Sequence, residues 1–224
     1  MSHCKLGHVL EAVIFDFDGL ILETETPEIR SWEAVFQYYG AEYPEWYWRY
    51  TLGRGADQVE KQPYDLLVEQ GVVASQDEVL TMRAQILADM LAELEILPGV
   101  MERIREAKSL GLKLGIASSS KHLWVDGHLK RLGLFDEFEQ IVCADDVSRA
   151  KPFPDLYLLC CGRLGVAPNH AVALEDSVNG AKAAKGAGMF VVAVPTHLTV
   201  REDLIADRVV DSLLEVTLAE LSPM

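Results

Sequence analysis

Positive charge is scarce in this chain. Its 224 residues carry 20 Lys and Arg against 35 Asp and Glu, a formal charge of −15. Such a surface repels nucleic acid and anionic membranes, so neither is expected as a partner, and a local basic pocket would stand out. Long apolar runs are missing: no stretch approaches the roughly 20 residues that a bilayer span needs. The opening MSHCKLGH lacks the apolar core of a secretory signal, so a cytoplasmic location is expected. Cysteine is limited to Cys4, Cys143, Cys160 and Cys161, with no CxxC spacing. These read as free thiols of a reducing compartment. Cys4 with His3 and His8 reads as a frayed terminus rather than a metal cluster. There is no internal repeat and no low-complexity tract. Half the residues are hydrophobic and a quarter charged, which excludes a disordered chain.

What is present is an alternation. Short apolar runs at Val9–Phe15, Leu112–Ala117, Ile141–Ala144, Ala171–Leu174 and Phe190–Val194, with a weaker one at Arg208–Val210, are near-continuously hydrophobic. Parallel strands covered on both faces read that way. Between them the spacing predicts helices over 99–110, 121–132, 154–164 and 177–187, each followed by a glycine stop. The expected fold class is α/β, a Rossmann-like doubly wound parallel sheet. From Glu25 to Leu97 no strand is legible. Thr26-Pro27 opens one helical pattern, and Ser75 with Glu78 forms a capping box before another. The expected organisation is an α/β core of residues 1–24 and 98–224 and a helical insert of 25–97. Placed after the first strand, the insert is expected to act as a cap at the carboxyl edge of the sheet, where ligands bind in such folds.

The stretch EAVIFDFDGLIL, residues 11–22, sharpens this. A strand fit for the interior ends in Asp16 and Asp18, and burying a carboxylate costs several kcal/mol unless a cation or donors compensate. On an extended chain the two carboxylates would face one pocket. The next strand ends in Ser118, Ser119, Ser120 and Lys121. Lys151 follows the third strand, and Glu175 and Asp176 end the fourth. Clustered carboxylates suit Mg²⁺, and hydroxyls, exposed amides and a lysine suit phosphate. Together they point to phosphoryl transfer. Asp145 and Asp146 read as turn or helix-cap residues, and Asp155 as the start of the next helix.

VIFDFDG, IASSS, the lysine of AKPFPD and LEDSVNG, in that order, resemble the four motifs of the haloacid dehalogenase superfamily over essentially the whole chain. The insert looks like a C1-type cap, and DGLILETE and LEDSVNGAKAAKGAGM are similar to the β-phosphoglucomutase-like and sugar-phosphate phosphatase branch. The resemblance implies a Mg²⁺-dependent phosphatase of small phosphorylated metabolites, monomeric or weakly dimeric. Asp16 would be the nucleophile and Asp18 the general acid/base. Asp16, Asp18 through its backbone carbonyl, Asp176, and Glu175 through water would hold Mg²⁺. Ser118, the Ser119 amide and Lys151 would bind phosphate, and Gly19 would turn the chain out of the strand.

Some positions depart from the family pattern. Glu23 replaces an aspartate, and Glu28 stands where the mutase has a histidine. Ala56 is nearest to the mutase's cap arginine, and no lysine lies between Lys61 and Lys108. Gly53 and Arg54 resemble the substrate-specificity loop, and Tyr43, Trp46, Tyr47, Trp48 and Tyr50 form an aromatic cluster that faces either substrate or the insert's own core. Besides the phosphatase, a β-phosphoglucomutase-type mutase stays open. A phospho-receiver signalling domain is disfavoured by the insert and by Asp18.

Overall fold

The computed structural model describes residues 10–51 and 59–221. The expectations at His3, Cys4, His8, Gly53, Arg54 and Ala56 lie outside the described residues. The chain divides into two compact units, Met1–Leu22 with Glu95–Met224, and Glu23–Leu94.

The first unit is a six-stranded parallel sheet. β1 (Ala12–Phe15), β2 (Lys113–Ala117), β3 (Gln140–Val142), β4 (Ala171–Glu175), β5 (Phe190–Ala193) and β6 (Arg208–Val209) run in the order β3-β2-β1-β4-β5-β6. Phe15 lies opposite Ile116 on one side and Leu174 on the other. The four residues of β1 and the five of β4 are wholly buried, as their near-continuous hydrophobicity requires. In the insert the helices are α1 (Glu25–Tyr38), α2 (Glu45–Thr51), α3 (Pro63–Glu69) and α4 (Gln76–Ala92). In the sheet unit they are α5 (Val100–Ser109), α6 (His122–Arg131), α7 (Asp155–Leu164) and α8 (Val178–Gly186). Leu156, Tyr157 and Cys160 of α7 and Ala181 and Ala184 of α8 pack against Ile14, Ala173 and Val191 of the sheet. On this Rossmann-like α/β fold the strand order switches direction between β1 and β4. The crevice outside their carboxyl ends is the binding position of such sheets.

The second unit has a core of its own, built from Val35, Phe36, Tyr47, Leu66, Leu67 and Val79. Each such side chain contributes roughly 1.5–3 kcal/mol on leaving water. The aromatic cluster divides. Tyr43 and Tyr47 join this core, ring to ring at 5.9 Å, while Trp46 stays 59% exposed. Helix α1 also begins earlier than expected, because Glu23 Oε1 accepts the Thr26 amide at 3.1 Å. The acidic side chain at the departure from the family pattern thus serves a helix terminus.

Candidate active site

Asp16 is the first residue past β1, its amide bonded to the Leu174 carbonyl at 2.9 Å. Its carboxylate meets a cation: Lys151 Nζ stands 2.5 Å from Asp16 Oδ1 and 2.6 Å from Glu175 Oε1. Glu175, fully buried at the end of β4, also accepts the Tyr157 hydroxyl on Oε1 at 2.5 Å and the Ser177 hydroxyl on Oε2 at 3.2 Å. Burial holds the Asp16 carboxyl well above the usual carboxylate range; Lys151 opposes that rise and Glu175 adds to it. Burial alone would depress the Lys151 ammonium, but Asp16 and Glu175 together raise it. The lysine is therefore a fixed positive charge.

One lysine does not balance this pocket. Carboxylate oxygens of Asp16, Glu175 and Asp176 lie within 4.8 Å of one another, and all three residues are buried. Among the described residues, Lys151 pairs with Asp16 and Glu175 only, and three clustered buried acids leave negative charge that low-dielectric surroundings penalise. A hard divalent cation with oxygen ligands is the group that such a donor set fits.

The Asp18 carboxylate has other partners. Ser120 Oγ donates to its Oδ2 at 2.6 Å, and Trp124 Nε1 of α6 donates to Oδ1 at 2.9 Å. The extended alternation stops at Phe15. From Phe17 the chain turns tightly, with the Ile21 amide on the Phe17 carbonyl at 2.9 Å and the Gly19 amide on the Leu22 carbonyl at 2.8 Å. Gly19 sits at φ +81°, and a Cβ there would stand 2.1 Å from Asp176 Oδ2. Only glycine fits on both counts. Ser118 is buried, and its Oγ accepts the Ser120 amide at 3.0 Å, while the neighbouring Ser119 is exposed. Asp145 and Asp146, expected as turn or cap residues, do cap backbone amides, and they also tie elements together. Asp145 accepts the His122 amide at 3.1 Å, and Asp146 accepts Arg163 at 2.8 Å and the Cys143 amide at 2.9 Å.

In the helical unit Glu28 pairs with the Arg83 guanidinium, which also donates to Ser31 Oγ at 3.3 Å and lies 5.1 Å from the Trp32 ring centre. Glu28, which stands where the mutase has a histidine, is thus paired with an arginine 55 residues away that no local pattern marks as its partner. Tyr157 and Trp124 were missed as well. A helix-period pattern marks such residues only as packing positions, and nothing local signals which carboxylate each reaches.

The haloacid dehalogenase-like hydrolase family matches residues 13–194. YhcW of Bacillus subtilis, which carries the name of a phosphatase, is 44% identical over 95% of this chain and 96% of its own length. Hexitol phosphatase B of Escherichia coli K12 is 34% identical over 94% of this chain and 96% of its own. The crystal structure of a CbbY variant from Rhodobacter sphaeroides in complex with xylulose-(1,5)bisphosphate superposes with a TM-score of 0.74. It is 30% identical, covering 96% of this chain and all of that one.

Proposed function

The chain belongs to the haloacid dehalogenase-like hydrolases and is a phosphoric monoester hydrolase; from that membership we propose that it releases phosphate from small phosphorylated sugars through an aspartyl-phosphate on Asp16. The observation that carries this reading is the division of partners between two aspartates two residues apart. Asp16 is buried against the Lys151 ammonium, and Asp18 accepts hydrogen bonds from Ser120 and Trp124. A carboxylate with a fixed cation beside it suits attack on phosphorus, since Lys151 can also neutralise charge on the transferring group. Asp18, on a separate set of donors, suits the proton work.

In the proposed sequence an Asp16 oxygen bonds to phosphorus while the bond to the leaving oxygen breaks. Asp18 supplies the proton that this oxygen needs. Water then attacks the acyl phosphate, giving a proton back to Asp18 and releasing inorganic phosphate. Ser118, the Ser119 amide and Lys151 are proposed to orient the phosphoryl oxygens. Asp16, Asp176, the Asp18 carbonyl and, through water, Glu175 are the proposed holders of Mg²⁺, which when bound would neutralise charge on the phosphoryl group. The proposed compartment is the cytoplasm, and the proposed domain bounds are 1–24 with 98–224 for the core and 25–97 for a substrate-selecting insert. The sugar class is supported by the names of two relatives, one a hexitol phosphatase and the other crystallised with a ketose bisphosphate.

Asp16→Asn keeps the side-chain shape and removes the nucleophile. We expect phosphate release from a panel of sugar phosphates to drop by several orders of magnitude while the far-ultraviolet spectrum stays unchanged. Turnover within tenfold of the parent, in protein freed of contaminating phosphatase, would refute the covalent route.

A further inference from the structure

Trp124 does not belong to any of the four motifs, yet its indole N–H reaches the Asp18 carboxylate. Nε1 stands 2.9 Å from Asp18 Oδ1, and Ser120 Oγ stands 2.6 Å from Oδ2. The indole is itself held. One turn along α6, His128 packs edge-on against it at 4.5 Å between ring centres, and His128 in turn lies 6.2 Å from Phe17, the residue between the two aspartates. Asp18, Trp124, His128 and Phe17 thus form a ring of contacts around the turn that carries the acid/base group.

The two donors differ in kind. An indole N–H donates and cannot accept, whereas a serine hydroxyl does both. When Asp18 carries a proton, placing it on the oxygen facing Trp124 would either set two donors head to head or leave the indole on the hydroxyl oxygen, the poorer acceptor of the acid. On Oδ2 it can be accepted by the Ser120 hydroxyl after rotation of the O–H. We propose that Trp124 is a positioning residue for Asp18: it keeps Oδ1 as the permanent acceptor and leaves Oδ2 as the oxygen that gives and takes the proton. This rests on the reading of Asp18 as general acid/base. In the first half-reaction the bond from phosphorus to the leaving oxygen breaks with its electron pair going to that oxygen, which takes the proton from Oδ2. In the second, the attacking water returns a proton to Oδ2. Losing the indole donor would let the carboxylic acid rotate and present the proton in unproductive directions, which harms only the steps that need it.

The test therefore compares leaving groups. Trp124→Phe keeps a ring against His128 and removes the N–H. For a sugar phosphate hydrolysed by the parent enzyme, kcat should fall about 10- to 100-fold, part of the 10²–10⁴ attributable to a positioned acid, with KM within about twofold. The pre-steady-state burst of p-nitrophenolate from p-nitrophenyl phosphate should change less than about twofold, because that leaving group needs no proton. Equal losses on both substrates would show a merely structural tryptophan, and no loss on either would also overturn the proposal. Incorporating 3-benzothienylalanine at position 124 keeps the bicyclic shape and removes only the N–H, so a folding defect of the Phe variant leaves the question decidable. Asp18→Asn is run alongside. If it retains sugar-phosphate turnover, the acid/base reading fails; if it loses turnover while Trp124→Phe does not, only the role of Trp124 fails.

Discussion

His122 shows how a single side chain can tie together segments distant in sequence. Its ring contacts Asp126 on its own helix at 3.2 Å and Asp146 beyond β3 at 2.8 Å. Burial would lower its pKa, but the hydrogen bonds to Asp126 and Asp146 outweigh that and leave it raised. Burial likewise pushes Asp146 upward, yet Arg163, the Cys143 amide and His122 bring it down to about 2. A histidine whose folded pKa exceeds its unfolded value near 6.5 stabilises fully below about pH 6.5. That contribution is lost as pH rises through the raised folded value. The Asp146 contribution runs the other way, present above its unfolded pKa and lost only as pH falls toward about 2. His122→Gln should therefore lower the unfolding midpoint at pH 6 and leave it nearly unchanged at pH 9. The ring is 35% exposed, so solvent screening keeps the effect below about 1 kcal/mol, a shift of about 2–4 °C at most in a chain of this size. Equal losses at both pH values would mean that packing, not charge, is what His122 supplies.

At the scale of elements, the approach of α8 to β4 decides where Glu175 points. Ser177 caps the helix by accepting the Gly180 amide at 3.1 Å. A Cβ at Gly180 would fall 2.0 Å from the Glu175 carboxylate carbon and both of its oxygens. The helix lies that close only because position 180 has no side chain. Glu175 cannot retreat without giving up Tyr157 and Lys151, its partners at 2.5 and 2.6 Å. Gly180→Ala should therefore cost about 1–3 kcal/mol by overpacking and lower kcat at least tenfold by displacing the carboxylate that orients Lys151. Gly186→Ala, on the same helix with its nearest neighbour at 3.7 Å, is the control and should leave kcat unchanged. Similar kcat values for the two variants would remove Glu175 orientation as the reason for the close packing.

Over the whole molecule, a formal charge of −15 sits on a chain that also clusters three buried acids at one strand edge. A divalent cation bound there would relieve both burdens. Adding Mg²⁺ to metal-stripped protein should raise the unfolding midpoint, by an increment that grows with the logarithm of concentration above the dissociation constant. Chelation should abolish phosphate release, and restored Mg²⁺ should return it. A midpoint blind to Mg²⁺ would speak against a site at Asp16, Glu175 and Asp176. With metal present, β-glucose 1-phosphate plus a bisphosphate primer should yield free phosphate in excess of glucose 6-phosphate. Efficient isomerisation would overturn the hydrolase reading in favour of a mutase. No helix among the described residues is long and apolar enough to cross a membrane.

The periodicity of the chain was enough to place the strands and helices of the sheet unit, though not α2 and α3 of the insert. The helix expected over 154–164 is observed at Asp155–Leu164 and that over 177–187 at Val178–Gly186, while the first strand is shorter than its apolar run, Ala12–Phe15. These features depend on contacts a few residues apart, and hydrophobic spacing and glycine stops encode such contacts directly. The order of acids, hydroxyls and lysine along the strand ends was legible for the same reason, since a parallel sheet brings every strand end to one edge. The compensation of each charge was not. Asp18 meets Trp124 across 106 residues, and Asp16 meets Lys151 across 135. Glu28 meets Arg83 across 55, and Tyr157 meets Glu175 across 18. No local period links such pairs. They form only when helices pack on the sheet or on one another, so the tertiary structure alone decides which donor faces which oxygen.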